Sequence, residues 1–144
     1  MRIMAFIPAR GGSKGIPRKN MSLLNGKPLI QFTIEAAQKS KIIDDIFLSS
    51  DDSEIIDFSR SLGLKVLYHR PSELALDTTP MIDTVLHALE WLKKNNKYFP
   101  NYVLLLQPTS PLRRAEDIDN AINQLLDSNA EALISVHEMI EHPY

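Results

Sequence analysis

Residues 8–20 read Pro-Ala-Arg-Gly-Gly-Ser-Lys-Gly-Ile-Pro-Arg-Lys-Asn, a stretch holding Gly11, Gly12 and Gly15 with the cations Arg10, Lys14, Arg18 and Lys19 and no acid. Glycine lets a backbone turn tightly and bring its N–H groups against an anion, while Arg and Lys add charge and donors. A polyphosphate matches that equipment. The loop lacks the Gly-Lys-Ser/Thr ending of a Walker A motif and the G-x-G-x-x-G spacing of a dinucleotide fingerprint. A solvated basic turn is the bland alternative, but the loop directly follows the apolar run Ile3–Ile7, the place where a buried strand would deliver a ligand loop.

Two further segments carry polar chemistry. Arg70 opens Arg-Pro-Ser-Glu-Leu-Ala, and Asp77-Thr78-Thr79-Pro80 follows closely. Arg70 suits either a ligand contact or an anchor for its own loop through Glu73 or Asp77, and Thr79 suits a helix cap. Gln107-Pro108-Thr109-Ser110-Pro111-Leu112-Arg113 is stiffened by two prolines, and its neutral side chains suit hydroxyls and a base edge rather than phosphates. His69, His87, His137 and His142 show no metal-ligand spacing and read as surface or structural residues.

The elements that must position these loops alternate. Strands are predicted at Ile3–Ile7, Ile46–Ser49, Leu64–Tyr68, Tyr102–Leu106 and Ala132–Val136, the first and fourth apolar enough to be buried on both faces. Helices are predicted over 28–39, over 53–62 after the cap candidates Asp51 and Asp52 and ending at Gly63, from Thr79-Pro80 through Leu92, and over 115–128. The β-α-β order implies a parallel sheet covered on both faces by helices, in one domain spanning residues 1–144. Ligands then bind beyond the carboxyl ends of the strands where their order reverses. The loops after strands one, three and four are the unusual ones. After the fifth strand, His137–Tyr144 reads as a loop, as though the domain were cut short.

Composition narrows the classes. The chain has 144 residues, no cysteine and a net charge of −2, so disulfide scaffolds, thiolate metal sites and cysteine nucleophiles are excluded. Its apolar runs are far short of the ~20 residues needed to span a bilayer, and the N-terminus does not read as a signal peptide, so the expected setting is the cytoplasm without a membrane partner. No acid precedes Glu35, whereas that segment carries six cations; the rest carries ten cations against 18 acids. Such a field favours a small anion near the N-terminal segment over a nucleic acid lying across a broad basic face.

Ile7-Pro8-Ala9-Arg10-Gly11-Gly12-Ser13-Lys14-Gly15-Ile16-Pro17-Arg18-Lys19-Asn20 resembles the N-terminal signature of the acylneuraminate cytidylyltransferases. The resemblance continues in order through Gly26-Lys27-Pro28-Leu29-Ile30, Ser50-Asp51, Arg70 to Ala75 and Leu104 to Arg113. It implies a three-layer Rossmann-like nucleotidyltransferase fold of α/β class with a mainly parallel sheet. It also implies transfer of CMP from CTP to the anomeric hydroxyl of a nine-carbon keto sugar acid, with release of pyrophosphate. By resemblance Arg10 and Lys19 hold the triphosphate and serve the chemistry, with Ala9, Gly11, Gly12, Ser13, Lys14 and Asn20 around them.

Arg70, Ala75 and Asp77 then lie near the nucleotide base, and Gln107, Thr109 and Ser110 at the sugar acid. Thr109 and Ser110 replace the metal-binding Asp of the eight-carbon Kdo branch, which points to sialic, legionaminic or pseudaminic acid. Met81 stands where some members carry a serine aimed at the ligands. Arg18 stands equally as surface charge or as a phosphate contact. The family's Mg²⁺ and homodimer are implied too, although its paired aspartate ligands and its subunit-crossing segment have no counterpart in these 144 residues. Competing readings are a nucleotidyltransferase for another sugar and a non-catalytic nucleotide-binding domain.

Overall fold

The structure is a computed structural model and describes residues 1–96 and 99–136. Its centre is β1 (Ile3–Pro8), every residue of which is buried. It is flanked in parallel by β4 (Asp45–Ser49) and β5 (Tyr102–Leu105), giving the order β4-β1-β5. Phe6 stands opposite Phe47 on one side and Leu105 on the other. Residues of both its faces are buried under packed side chains, which is why the sequence of β1 is continuously apolar.

Successive residues of β1 feed two cores, as the period-two pleat demands. Ile3, Ala5 and Ile7 pack with Ile30 and Ile34 of α1 (Leu29–Lys39), Ile55 of α2 (Ser53–Ser61) and Ile118 and Ile122 of α4 (Ala115–Asp127). Met4 and Phe6 pack on the opposite face with Ala88, Leu89 and Leu92 of α3 (Met81–Asn96). Phe6 stacks on Phe47 with centroids 5.8 Å apart, and Tyr68 meets Trp91 edge-on at 5.5 Å. Helices on both faces of a parallel sheet make the three layers that the sequence predicts. None of the described helices is long and apolar enough to cross a membrane.

Three details depart from the sequence reading. Leu64–Tyr68 alternates buried and exposed residues like a strand but joins no ladder, and a hollow of about 530 Å³ opens between it and β4. Ala132–Val136 is exposed throughout and unpaired, because β propensity makes a strand only where a partner edge and a buried face are supplied. His137–Tyr144 lies outside the described residues. Finally, a small hairpin of β2 (Leu23–Leu24) and β3 (Lys27–Pro28) precedes α1. Asn25 and Gly26 turn it with φ of 49° and 79°, the positive pair that a two-residue hairpin turn needs.

Candidate functional site

β1, β4 and β5 run parallel, so their carboxyl ends open on one side. Because β4 and β5 lie on opposite flanks of β1, the order of the strands reverses at β1. The chain leaves β1 through Ala9, whose N–H donates to the Ser49 carbonyl at 2.9 Å, and leaves β5 through Leu106, bonded to the Phe6 carbonyl at 2.9 Å. A cleft of about 180 Å³ lies between these exits.

Eight residues named from the sequence as ligand contacts line it, as does Met81, singled out there as a departure from the family. Arg10, Gly12, Ser13, Lys19 and Asn20 come from the glycine loop, Arg70 from the segment before α3, and Gln107 and Thr109 from the loop after β5. Pro8, Met81 and Pro108 complete the wall. In sequence Pro108 reads only as a stiffener of its loop, and Pro8 carries no signal of its own. Ala9, Gly11, Lys14, Ala75, Asp77 and Ser110 do not line the cleft, and most have local duties. Ala9 is fully buried. Gly11 donates its N–H to Asp51 Oδ1 at 3.0 Å, and a Cβ there would lie 2.5 Å from Asp52 Oδ2. Its glycine is needed for packing against the start of α2. Ser110 donates its N–H to the Gln107 carbonyl.

The loop is held by its own polar groups. Asn20, buried in a 3₁₀ turn, donates to the Arg10 carbonyl at 3.0 Å. Ser13 Oγ accepts from the Lys19 N–H at 3.2 Å and donates to the Ile16 carbonyl. Arg18, at φ 51°, pairs with Asp52 at 3.1 Å and Glu54 at 2.6 Å. In this arrangement it pairs with the start of α2 and does not line the cleft. Asp52 caps that helix, accepting from the Glu54 and Ile55 N–H groups.

Arg70 is only 3% exposed. It is anchored through neither Glu73 nor Asp77. Nε donates to Ser49 Oγ at 2.9 Å, Nη2 to the Ser49 carbonyl at 2.5 Å, and the backbone N–H to the Ser50 carbonyl at 2.8 Å. Burial lowers its guanidinium below the ordinary arginine range, opposed chiefly by Asp51. Ser49 and Ser50, polar and wholly buried at the end of β4, were the unread signal for this anchor. The Thr79 hydroxyl donates to the Glu73 carbonyl instead of capping α3, which starts at Met81. His69 bonds the Asp51 carbonyl, and His87 bonds the Tyr68 hydroxyl at 2.8 Å; His137 and His142 lie outside the described residues.

The cations of the site are unequally committed. Arg10 Nη1 lies 2.5 Å from Asp77 Oδ1 and Lys14 Nζ 3.0 Å from Asp77 Oδ2, whereas Lys19 makes no ion pair among the described residues. Arg10 also reaches the Ala75 carbonyl at 3.5 Å. The cleft thus presents Arg10, Lys19 and Arg70 on one side and neutral Gln107 and Thr109 on another, with no carboxylate in its lining. An anion with several charged oxygens, joined to a hydroxyl-rich group, fits that division.

Known proteins show the same arrangement of sequence. A family model described as cytidylyltransferase matches residues 4–142. The CMP-N,N'-diacetyllegionaminic acid synthase of Legionella pneumophila is 46% identical over 122 residues, covering 85% of this chain and 52% of that protein. A pseudaminic acid cytidylyltransferase of Campylobacter jejuni is 37% identical over 143 residues, 99% of this chain and 61% of its own. The chain therefore spans little more than half the length of these curated relatives. A solved CMP:2-keto-3-deoxy-manno-octonic acid synthetase complexed with CTP shares the fold, with a TM-score of 0.73 at 23% identity over 90% of this chain and 49% of that one. With its strand order, its basic glycine loop and a family match over nearly its whole length, the chain belongs to the cytidylyltransferase family.

Proposed function

We propose that this chain supplies the nucleotide site of an enzyme that transfers CMP from CTP to the anomeric hydroxyl of a nine-carbon keto sugar acid of the sialic, legionaminic or pseudaminic type. The observation carrying the proposal is the convergence of Arg10, Lys19 and Arg70 with Gln107 and Thr109 on one cleft at the strand reversal. The names of the relatives support the substrate class. In the reaction the sugar hydroxyl attacks the α-phosphorus and gives up its proton to solvent; a new P–O bond forms as the α–β bridging bond breaks and pyrophosphate leaves. Arg10 and Lys19 offset the charge of the triphosphate and of the leaving group, and Ser13 and Asn20 keep the loop in the shape that aims them. Gln107 and Thr109 hold the sugar acid in line. Arg70, with Ala75 and Asp77 on the following loop, borders the base.

Magnesium prefers oxygen ligands, usually one or two carboxylates with the substrate's phosphates. The cleft lining offers none, and no cluster of three or more His, Asp or Glu forms among the described residues. These residues do not make a magnesium site, and no step is assigned to a metal here. The same observation favours a second reading, in which this chain binds the nucleotide without turning it over. The homodimer implied by the resemblance, and the cytoplasmic setting expected from the short apolar runs, belong to the same proposal.

Thermal-shift titration with CTP, GTP, UTP and ATP tests it, because a ligand of the native state raises the melting point by mass action. A CTP-selective shift, lost in Arg10→Ala and Lys19→Ala, supports the nucleotide site. Pyrophosphate release with candidate sugar acids then separates transfer from binding alone. A shift of equal size with all four nucleotides would sink the cytidine assignment.

A further inference from the structure

Asp77 lies outside the cleft lining but pairs with Arg10, which lines it. Its two carboxylate oxygens each take a different cation of the glycine loop, Oδ1 on Arg10 and Oδ2 on Lys14. A phosphate group engages paired cations in the same way. The remaining cations fall into two groups. Arg18 is held by Asp52 and Glu54, while Lys19 has no ion pair among the described residues and lines the cleft beside Arg10. An arriving polyphosphate therefore meets Lys19 uncommitted but must compete with Asp77 for Arg10 and Lys14.

We propose that Asp77 is an exchangeable counter-ion, which a polyphosphate entering the cleft displaces from Arg10 and Lys14, freeing the segment between the 3₁₀ turn Ser72–Leu74 and α3 from the glycine loop. The proposal rests on the triphosphate reading of the cleft. Its geometry favours exchange. The side chains of Arg10, Lys14 and Asp77 are 33%, 81% and 31% exposed, so water and salt screen both pairs and neither is strong. A triphosphate carries several negative charges against the single charge of a carboxylate, and so wins the cations. The released segment is tied to the cleft at its far end, since Met81, the first residue of α3, forms part of the wall. Emptying the nucleotide site returns Asp77 to the cations, which keeps the loop ordered between ligands. In the unliganded chain, hydrogen bonds from Lys14 and then Arg10 hold the Asp77 carboxyl below the usual carboxylate range.

The test compares the wild-type chain with Asp77→Asn by calorimetric titration of CTP, CMP and inorganic tripolyphosphate. Removing a competitor from two partly exposed pairs should tighten tripolyphosphate binding, which involves no base contact, about three- to tenfold, with no comparable gain for CMP. Equal or weaker tripolyphosphate binding by Asp77→Asn overturns the proposal, since Asp77 would then be positioning the cations or standing idle. A second measurement needs no variant. Saturating tripolyphosphate should return the titration of the Asp77 carboxyl carbon to the ordinary carboxylate range, and an unmoved resonance counts against displacement. If the folded wild-type chain binds neither CTP nor tripolyphosphate, the nucleotide reading itself falls and the counter-ion falls with it. CTP binding with an unaffected Asp77 removes only the counter-ion.

Discussion

Arg70 closes on Ser49 with two parallel contacts, Nε on the hydroxyl at 2.9 Å and Nη2 on the carbonyl at 2.5 Å, so a loop cation is clamped to the carboxyl end of β4. A lysine presents one point charge and cannot reproduce this fork. Arg70→Lys should destabilise the fold by about 1.5–3 kcal/mol, the range for hydrogen bonds to a charged group, and weaken CTP binding as well. Urea unfolding and calorimetry would show both; an unchanged midpoint would remove the clamp from the account.

Gly11 and Gly12 are adjacent but answer to different constraints. A Cβ on Gly11 would stand 2.5 Å from Asp52 Oδ2 and 2.9 Å from Asp52 Cβ, whereas one on Gly12 would meet nothing within 4 Å. Gly11→Ala should cost about 1–3 kcal/mol by overpacking, and Gly12→Ala little stability. Gly12 lines the cleft, so its variant should instead lower nucleotide affinity. Equal losses of stability in the two variants would contradict this division.

Lys19 and Arg18 are neighbours with opposite assignments. Lys19→Ala should reduce CTP binding at least tenfold with little loss of stability, because Lys19 makes no ion pair among the described residues. Arg18→Ala removes two exposed contacts, to Asp52 and Glu54, and should change stability by less than about 1 kcal/mol with CTP affinity near the wild-type value. Titrating both variants with CTP checks the pair, and reversed phenotypes would move the phosphate contact to Arg18.

Asp52→Ala removes a carboxylate that accepts from the Glu54 and Ile55 N–H groups at the start of α2. Loss of such a cap costs typically about 1 kcal/mol. The same side chain lies against Gly11, so the double variant Gly11→Ala/Asp52→Ala should be less destabilised than the sum of the singles. Strict additivity in chemical denaturation would show that the two do not touch.

Acid should weaken the fold through three carboxyls. Asp77 is held low by Lys14 and Arg10, Asp117 by Arg114, and Glu35 by Gln31 and then Lys27. A carboxyl whose folded value lies below its unfolded value adds stability above the unfolded value and loses it as pH falls through the folded one. The loss should therefore set in below their ordinary values of 3.8 to 4.5. Unfolding midpoints of the wild type and of Asp77→Asn/Asp117→Asn/Glu35→Gln should converge at low pH; parallel curves would remove these groups as the cause.

Local pattern alone determined a good deal. The continuous apolar run of β1, the 3.6-residue spacing in all four helices, and the glycine-bearing basic loop are set by neighbours a few residues apart, although α3 begins at Met81 without the expected Thr79 cap. The Asn25-Gly26 turn was equally legible and passed unread. Leu64–Tyr68 and Ala132–Val136 show the limit of such reading, since a strand needs a partner edge that its own residues do not encode.

Charge partners were hidden for the same reason. In sequence, nothing local shows which acid, if any, pairs with Arg10, Lys14, Arg18 or Lys19, and Asp51, Asp52 and Asp77 are far away along the chain. Folding gives Arg18 to Asp52 and Glu54, Arg10 and Lys14 to Asp77, and Arg70 to Ser49, leaving Lys19 open to the cleft. Residue type decides which chemistry a side chain can perform. Only the tertiary structure decides which side chains remain available, because ion pairs and hydrogen bonds form over a few ångströms of space, whatever the distance along the chain.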